Sequence, residues 1–136
     1  MDFLKSIAIA ASGLRAQAGR MRIISENIAN ADSTAANAGA EPYRRKMASF
    51  QSEMDRALDA QVVTLGRVKT DPTDFRVKHE PGHPAADANG NVRYPNVNSL
   101  VEMTDLREAQ RSYEANVNVI GASRRMIQRT IEILKS

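Results

Sequence analysis

The sequence predicts a mainly α chain. A long N-terminal helix and a long C-terminal helix pair as an antiparallel coiled coil, with a small β-rich or irregular insert between them. Three observations predict it. Apolar residues recur every seven positions at both ends, the middle is dense in Pro, Gly and Asn, and its apolar content is too thin for a large core. Residues 1–31 and 98–136 are therefore expected to form one discontinuous helical domain, with residues 32–97 as the insert.

Near the N-terminus, Ile7, Leu14, Met21 and Ile28 are each seven apart, and Phe3, Ala10 and Ile24 fall on the second seam position. Gln17 is the polar exception on that second line. Seven residues is close to two helical turns, so the spacing predicts one apolar stripe on a helix from about Phe3 to Asn30. Ala8, Ala11, Ser12, Gly13, Ala16, Ala18 and Gly19 are small enough to let a neighbouring helix approach closely. Gly13 and Gly19 each cost about 1 kcal/mol of helix propensity relative to Ala, so this helix needs partners to persist.

The C-terminal segment repeats the pattern. Leu106, Tyr113, Ile120, Ile127 and Leu134 are seven apart, with Met103, Val117 and Ile131 on a companion line interrupted by Gln110 and Arg124. Polar residues within a seam fix register or partner choice at some cost in stability. Asn98 or Ser99 can cap the helix, with Glu102 three residues beyond Ser99 as a capping-box partner. From Ser99 to Lys135 the helix is on the order of 55 Å long.

Between the helices, residues 31–42 are rich in Ala, Asn, Gly and Ser and end in Pro42, which reads as a loop. The spacing of Phe50, Met54 and Leu58 predicts a short helical turn. Val62 to Lys69 and Phe75 to Lys78 read as strands separated by Asp71-Pro72, and Val92 to Tyr94 as another before Pro95. Asn89-Gly90 is a type I′ turn signal.

Two long helices with further apolar residues beside the seam (Val119, Met126, Ile133) expose more apolar surface than one pairing can bury. The remainder is expected to meet other subunits. Asn116 and Asn118 sit inside the second helix, where Asn is unfavourable, so they make interhelical hydrogen bonds or lie on the surface.

Enzymatic chemistry finds no footing in the residues. There is no Cys, hence no disulfide, thiolate metal site or thiol nucleophile. His79-Glu80-Pro81-Gly82-His83 has the letters of a zinc-protease motif, but that chemistry needs both imidazoles on one helical face, and Pro81-Gly82 will not sustain the helix. Asp87, Asn89 and Gly90 match only a fragment of a calcium loop. No metal and no cofactor is expected. The net charge of +3 comes from 19 basic and 16 acidic residues. The clusters Arg44-Arg45-Lys46 and Arg124-Arg125 have no interleaved aromatic platform, so they read as a solvated face or inter-subunit salt bridges rather than a nucleic-acid footprint. Nothing is apolar for long enough to span a bilayer. A secretory signal is not expected either: Lys5 and Ser6 leave only Ile7 to Ala11 as an unbroken apolar run.

Ser12-Gly13-Leu14-Arg15-Ala16-Gln17 and Ser25-Glu26-Asn27-Ile28-Ala29-Asn30-Ala31-Asp32-Ser33 resemble the N-terminal signature of flagellar rod and hook proteins. Ser112-Tyr113-Glu114-Ala115-Asn116-Val117 resembles their C-terminal signature. Within that family, Pro42-Tyr43-Arg44-Arg45-Lys46, the run Glu80 to Gly90 and Tyr94-Pro95-Asn96-Val97-Asn98 look like one subunit of the proximal rod. The resemblance implies a structural subunit of the basal body, part of the shaft that carries torque from motor to hook, and no enzyme. It implies export without a cleaved signal through the flagellar type III apparatus, and helical assembly in the periplasm. The partners implied are copies of itself, other rod proteins, adjacent motor-ring and rod-junction proteins, and the export apparatus, with no nucleic acid and no small-molecule substrate. Asn27, Asn30, Tyr113, Glu114 and Asn116 carry the family motif, and the helix seams are the expected subunit interfaces. The competing reading from the residues alone is a small coiled-coil regulator or nucleic-acid-binding protein.

Overall fold

In a computed structural model, which describes residues 2–136, the chain runs from one long helix through six short strands to a second. Helix α1 spans Phe3–Ala29 and helix α2 spans Ser99–Lys135. Strands β1 (Lys46–Met47), β2 (Phe50–Asp55), β3 (Ala60–Leu65), β4 (Lys69–Thr70), β5 (Arg76–His79) and β6 (Asn91–Tyr94) pair antiparallel as β1–β4, β2–β3 and β5–β6. Both helices contribute to each of two compact units.

The first unit contains the chain through Met21, Ser49–Arg67 and Arg107–Ser136. Its hairpin is β2–β3, so the short helical turn expected from Phe50, Met54 and Leu58 is not formed. The spacing was ambiguous because Phe50 and Met54 also share a face in a strand of period two. The turn chemistry decides: Asp55 Oδ1 accepts the backbone N–H of Ala57 at 2.9 Å and of Leu58 at 3.2 Å, and Asp59 takes the left-handed conformation at φ 49°. Gly66 follows β3 and donates its N–H to the Ser49 carbonyl at 2.7 Å, an approach so close that a Cβ there would lie 2.9 Å from that oxygen. This break divides the expected Val62–Lys69 strand into β3 and β4.

Helix α1 lies against this hairpin through its smallest residues. Ser12 Oγ accepts the Val63 N–H at 3.1 Å, and Gly19 faces Leu65 so closely that a Cβ would sit 2.9 Å from it. On α2, Asn116 closes over Gly13, whose ideal Cβ would be 2.9 Å from Nδ2. Arg20 approaches Glu108 at 3.8 Å. Ala10, Ser12, Ala16, Ala109 and Ser123 are buried. The covered stripe of α2 in this unit is therefore Ala109, Asn116 and Ser123 alternating with Ile120 and Ile127, one residue away from the expected companion line. Val117 and Ile131 stay exposed, and so do Gln110 and Arg124, which consequently interrupt no intrachain seam. At Asn116 the close approach of Gly13, whose Cβ would lie 2.9 Å from Nδ2, leaves no room for a bulkier side chain.

The second unit contains Arg22–Ala48 and Val68–Leu106. Its apolar core is small: Ala85, Val92 and Tyr94, with Ala35 and Ala86 packed against them. The β5–β6 hairpin closes through Asp87, whose carbonyl accepts the Gly90 N–H at 3.0 Å and whose N–H donates to the Asn91 carbonyl at 2.9 Å. Gly90 alone takes positive φ, at 79°, so the turn is of type I followed by a left-handed glycine rather than the expected type I′. Helix α2 is capped by Asn98, whose Oδ1 accepts the N–H of Leu100 at 3.1 Å. Glu102 is not a capping-box partner. It is turned inward, 1% exposed.

Candidate functional site

Buried polar groups rather than apolar ones organise the second unit. Asn27, 1% exposed on the last turns of α1, uses both ends of its amide. Its Nδ2 donates to the Lys46 carbonyl at 2.7 Å and to Glu102 Oε2 at 3.4 Å. Its Oδ1 accepts the Tyr43 hydroxyl at 2.7 Å and the Lys46 N–H at 2.9 Å. One side chain thus ties α1, the strand-entry segment Tyr43–Lys46 and the start of α2. Asn30 acts locally: Nδ2 donates to the Glu26 carbonyl at 2.9 Å, and Oδ1 accepts the Ser33 hydroxyl at 3.1 Å.

The charge of Glu102 is met by Arg45, whose Nε donates to Oε1 while its Nη1 lies 3.3 Å from Asp71 Oδ2. Asp105 stands 4.0 Å from the same guanidinium. A buried carboxylate needs such pairing, since an unpaired charge costs several kcal/mol to desolvate (roughly 3–5 when one partner is removed). The Tyr43 phenol nearby is pushed up to about 12 by burial first and then by the charges of Glu26 and Glu102. Asp71 is held below its ordinary value, chiefly by the Thr73 N–H and hydroxyl and then by Arg45.

The basic cluster Arg44-Arg45-Lys46 is consumed by these contacts. Arg44 stacks 4.1 Å over the Phe75 ring and donates to the carbonyls of Asp71 and Thr73, both at 2.9 Å. Lys46 pairs with Glu26. The cluster, expected to be a solvated face or to make inter-subunit salt bridges, makes contacts within the chain.

His79 ends β5, with Nδ1 3.2 Å from Asn91 Oδ1, and His83 lies in the turns that follow. The Nδ1 of His83 accepts the Ala85 N–H at 3.0 Å, so this imidazole serves as a turn cap. The letters of the zinc motif fold without the helix that would align them. Among the described residues, no group of three or more His, Cys, Asp or Glu is gathered as a metal site. Among the described residues, no helix is long and apolar enough to cross a membrane.

The expected seam residues divide by exposure. Ile7, Leu14, Met21 and Ile28 are half-buried on α1, as are Leu106, Ile120 and Ile127 on α2. Tyr113, Val117, Ile131 and Leu134 are exposed, Leu134 at 80%. Glu114 is exposed, and Asn116 is half-buried with Nδ2 donating back to the Ser112 carbonyl at 3.1 Å. At the 3.6-residue repeat, Tyr113, Val117 and Ile131 flank the covered stripe on one side, and Val119, Met126 and Ile133 flank it on the other. Helix α2 thus presents two uncovered apolar strips separated by a covered stripe.

Comparison with known proteins names this arrangement. The family model described as flagella basal body rod protein matches residues 7–36, and the model of the C-terminal part of flagellar basal body rod FlgEFG proteins matches residues 88–133. A flagellar basal-body rod protein FlgC of Agrobacterium fabrum is 51% identical, with 100% of this chain and 99% of that protein covered. The chain belongs to the FlgC family of flagellar basal-body rod proteins. The FlgC of Bacillus subtilis is 39% identical over 99% of this chain and all of its own length, and that of Salmonella typhimurium 36% over 98% of each. Membership makes the chain a structural subunit of the basal-body rod, a component that assembles with other rod components. Its FlgC relatives are structural rod proteins rather than enzymes.

Sequence reasoning missed the ion pair between the buried Glu102 and the part-exposed Arg45. The available signal was an acidic residue in the first turn of α2, which by its spacing from Ser99 reads as a capping-box partner.

Proposed function

We propose that the chain is a proximal-rod subunit of the periplasmic drive shaft, exported by the flagellar type III apparatus without a cleaved signal. In this reading α1 and α2 pair antiparallel and form the axial core, and the middle segment makes subunit-specific contacts. The antiparallel sense is supported by Gly13 lying at Asn116 while Arg20 lies at Glu108. Partners are further copies, other rod proteins and the neighbouring motor-ring proteins.

The observation that carries the reading is the pair of apolar strips on α2. A closed dimer would need one uncovered face. Two, on opposite flanks of a covered stripe, suit a subunit with a different neighbour on each side, which is the requirement of an open helical array. A torque-bearing shaft also gains from locks such as Asn27 and Arg45–Glu102, which fix one geometry by directional bonds.

The test is Val117→Glu and Val119→Glu, one on each flank. Both side chains are exposed, at 46% and 47%, so both variants fold like the parent by circular dichroism. Each abolishes rod assembly in cells, because the introduced carboxylate is desolvated only on packing. Normal rods in both variants refute the reading.

A further inference from the structure

We propose that the free edge of β2 in one copy of this chain pairs, strand to strand, with the free edge of β5 in the next copy. The proposal rests on the reading that copies of the chain stand beside one another in the rod.

Both strands are edges with unspent backbone groups. Residues of an antiparallel ladder alternate between bonding their partner strand and pointing away from it. In β2–β3 the Gly66 N–H donates to the Ser49 carbonyl at 2.7 Å, which sets Gln51, Glu53 and Asp55 toward β3 and Phe50, Ser52 and Met54 outward. The same alternation sends the Val63 N–H out of the far side of the ladder, where Ser12 receives it at 3.1 Å. The outer edge of β3 is therefore met by α1, and that of β2 by nothing among the described residues. In β5–β6 the Glu80 N–H donates to the Gly90 carbonyl at 2.9 Å, which sets Val77 and His79 outward. On the far side of that hairpin the Asn91 carbonyl, an outward group of β6, accepts the Asp87 N–H at 2.9 Å, whereas the outward backbone groups of Val77 and His79 meet no partner among the described residues. Met54 is 49% exposed and Val77 59%.

Charge selects the partner. The β2 edge carries Glu53 and Asp55, the β5 edge Arg76 and Lys78. Two β2 edges, or two β5 edges, bring like charges together, which is the usual protection of an open edge. One β2 against one β5 satisfies both. With Met54 opposite Val77 of the neighbour and Ser52 opposite its His79, Glu53 faces Lys78 and Asp55 faces Arg76 across an antiparallel ladder. Arg76 keeps its own bonds to the Ala31 carbonyl at 2.8 Å and the Pro95 carbonyl at 3.0 Å, so it contributes charge rather than a new bond. Two hydrogen-bonded residue pairs give about four backbone bonds, weak between free monomers but effective between subunits already held side by side. The contact is heterologous, as an open array requires.

The chain has no Cys, so Met54→Cys with Val77→Cys introduces a clean pair. Opposed Cα atoms in such a ladder lie about 5.5 Å apart, within disulfide range. Basal bodies carrying the double variant are isolated, oxidised and run under non-reducing conditions. The expected result is a ladder of linked copies of this chain in the double variant, and monomer only in either single variant. Monomer alone from assembled rods overturns the proposal. So does a dimer from the Met54→Cys single variant, which marks β2 pairing with itself, or a product linked to a different protein. If the double variant does not assemble, a charge exchange decides: Glu53→Lys and Lys78→Glu each remove most rods, and the two together restore them. Failure of the pair to restore also overturns it. Absence of the unmodified chain from isolated rods contradicts the rod reading itself and is scored separately.

Discussion

Asn27→Ala is the most informative single perturbation of the second unit. It removes an amide that makes four contacts from a site 1% exposed to solvent. The 3.4 Å contact to Glu102 is long and contributes little. The Tyr43 hydroxyl is half-buried and can turn toward water, so its loss costs about 0.5–1.5 kcal/mol. The Lys46 N–H and carbonyl are fixed in the backbone, and leaving the donor unsatisfied costs about 1–3 kcal/mol. The sum is about 1.5–4.5 kcal/mol, a large fraction of the ~5–15 kcal/mol typical of a folded domain. Urea unfolding measures the total, and native-state hydrogen exchange at the Lys46 amide measures the local part. Asn27→Asp retains the acceptor but loses the donor and adds a charge beside Glu102, so it falls at least as far as the Ala variant. Parent-like stability with unchanged Lys46 protection refutes the role given to this amide.

Three further outcomes follow from the same geometry. The lowered Asp71 carboxyl contributes stability that is full above its ordinary value of 3.8 and fades as pH falls through its folded value, so Asp71→Asn flattens the acid limb of the stability profile. Tyr43 binds its proton more tightly folded than unfolded, so stability falls as pH rises from 10 toward 12; Tyr43→Phe removes that slope and the highest step in a spectroscopic tyrosine titration. Gly90→Val disrupts rod assembly: φ is 79° and a Cβ would meet His79 Cε1 at 2.9 Å and Pro81 Cγ at 3.0 Å. Gly82→Val is mild, with nothing within 4 Å of its Cβ, and His79→Gln with His83→Gln leaves motility largely intact, as soft-agar swimming will show.

The ends of the chain were legible in the sequence because a seven-residue repeat over long segments has no competing interpretation. Both helices begin at the expected residues, Phe3 and Ser99. The covered face of α2 was less legible. Met103, Val117 and Ile131 dominate by hydrophobicity, yet Ala109, Asn116 and Ser123 take the covered line, where Asn116 closes over Gly13. Phe50–Leu58 was misread because two apolar residues four apart fit both periods, and only the Asp55 and Asp59 turn separates them. The Asn27, Arg45 and Glu102 lock was invisible for a different reason: its members are separated by up to 75 positions, and their polar letters look like surface. The resemblance to rod and hook proteins marked Asn27 without explaining it.

The central claim is that both uncovered strips of α2 are closed by neighbours in the rod. A side-chain-resolution cryo-electron-microscopy map of isolated basal bodies tests it directly. The account predicts this chain in the rod, with Tyr113, Val117 and Ile131 packed against one neighbour and Val119, Met126 and Ile133 against another. A rod in which either strip faces solvent, or in which the chain is absent, contradicts it.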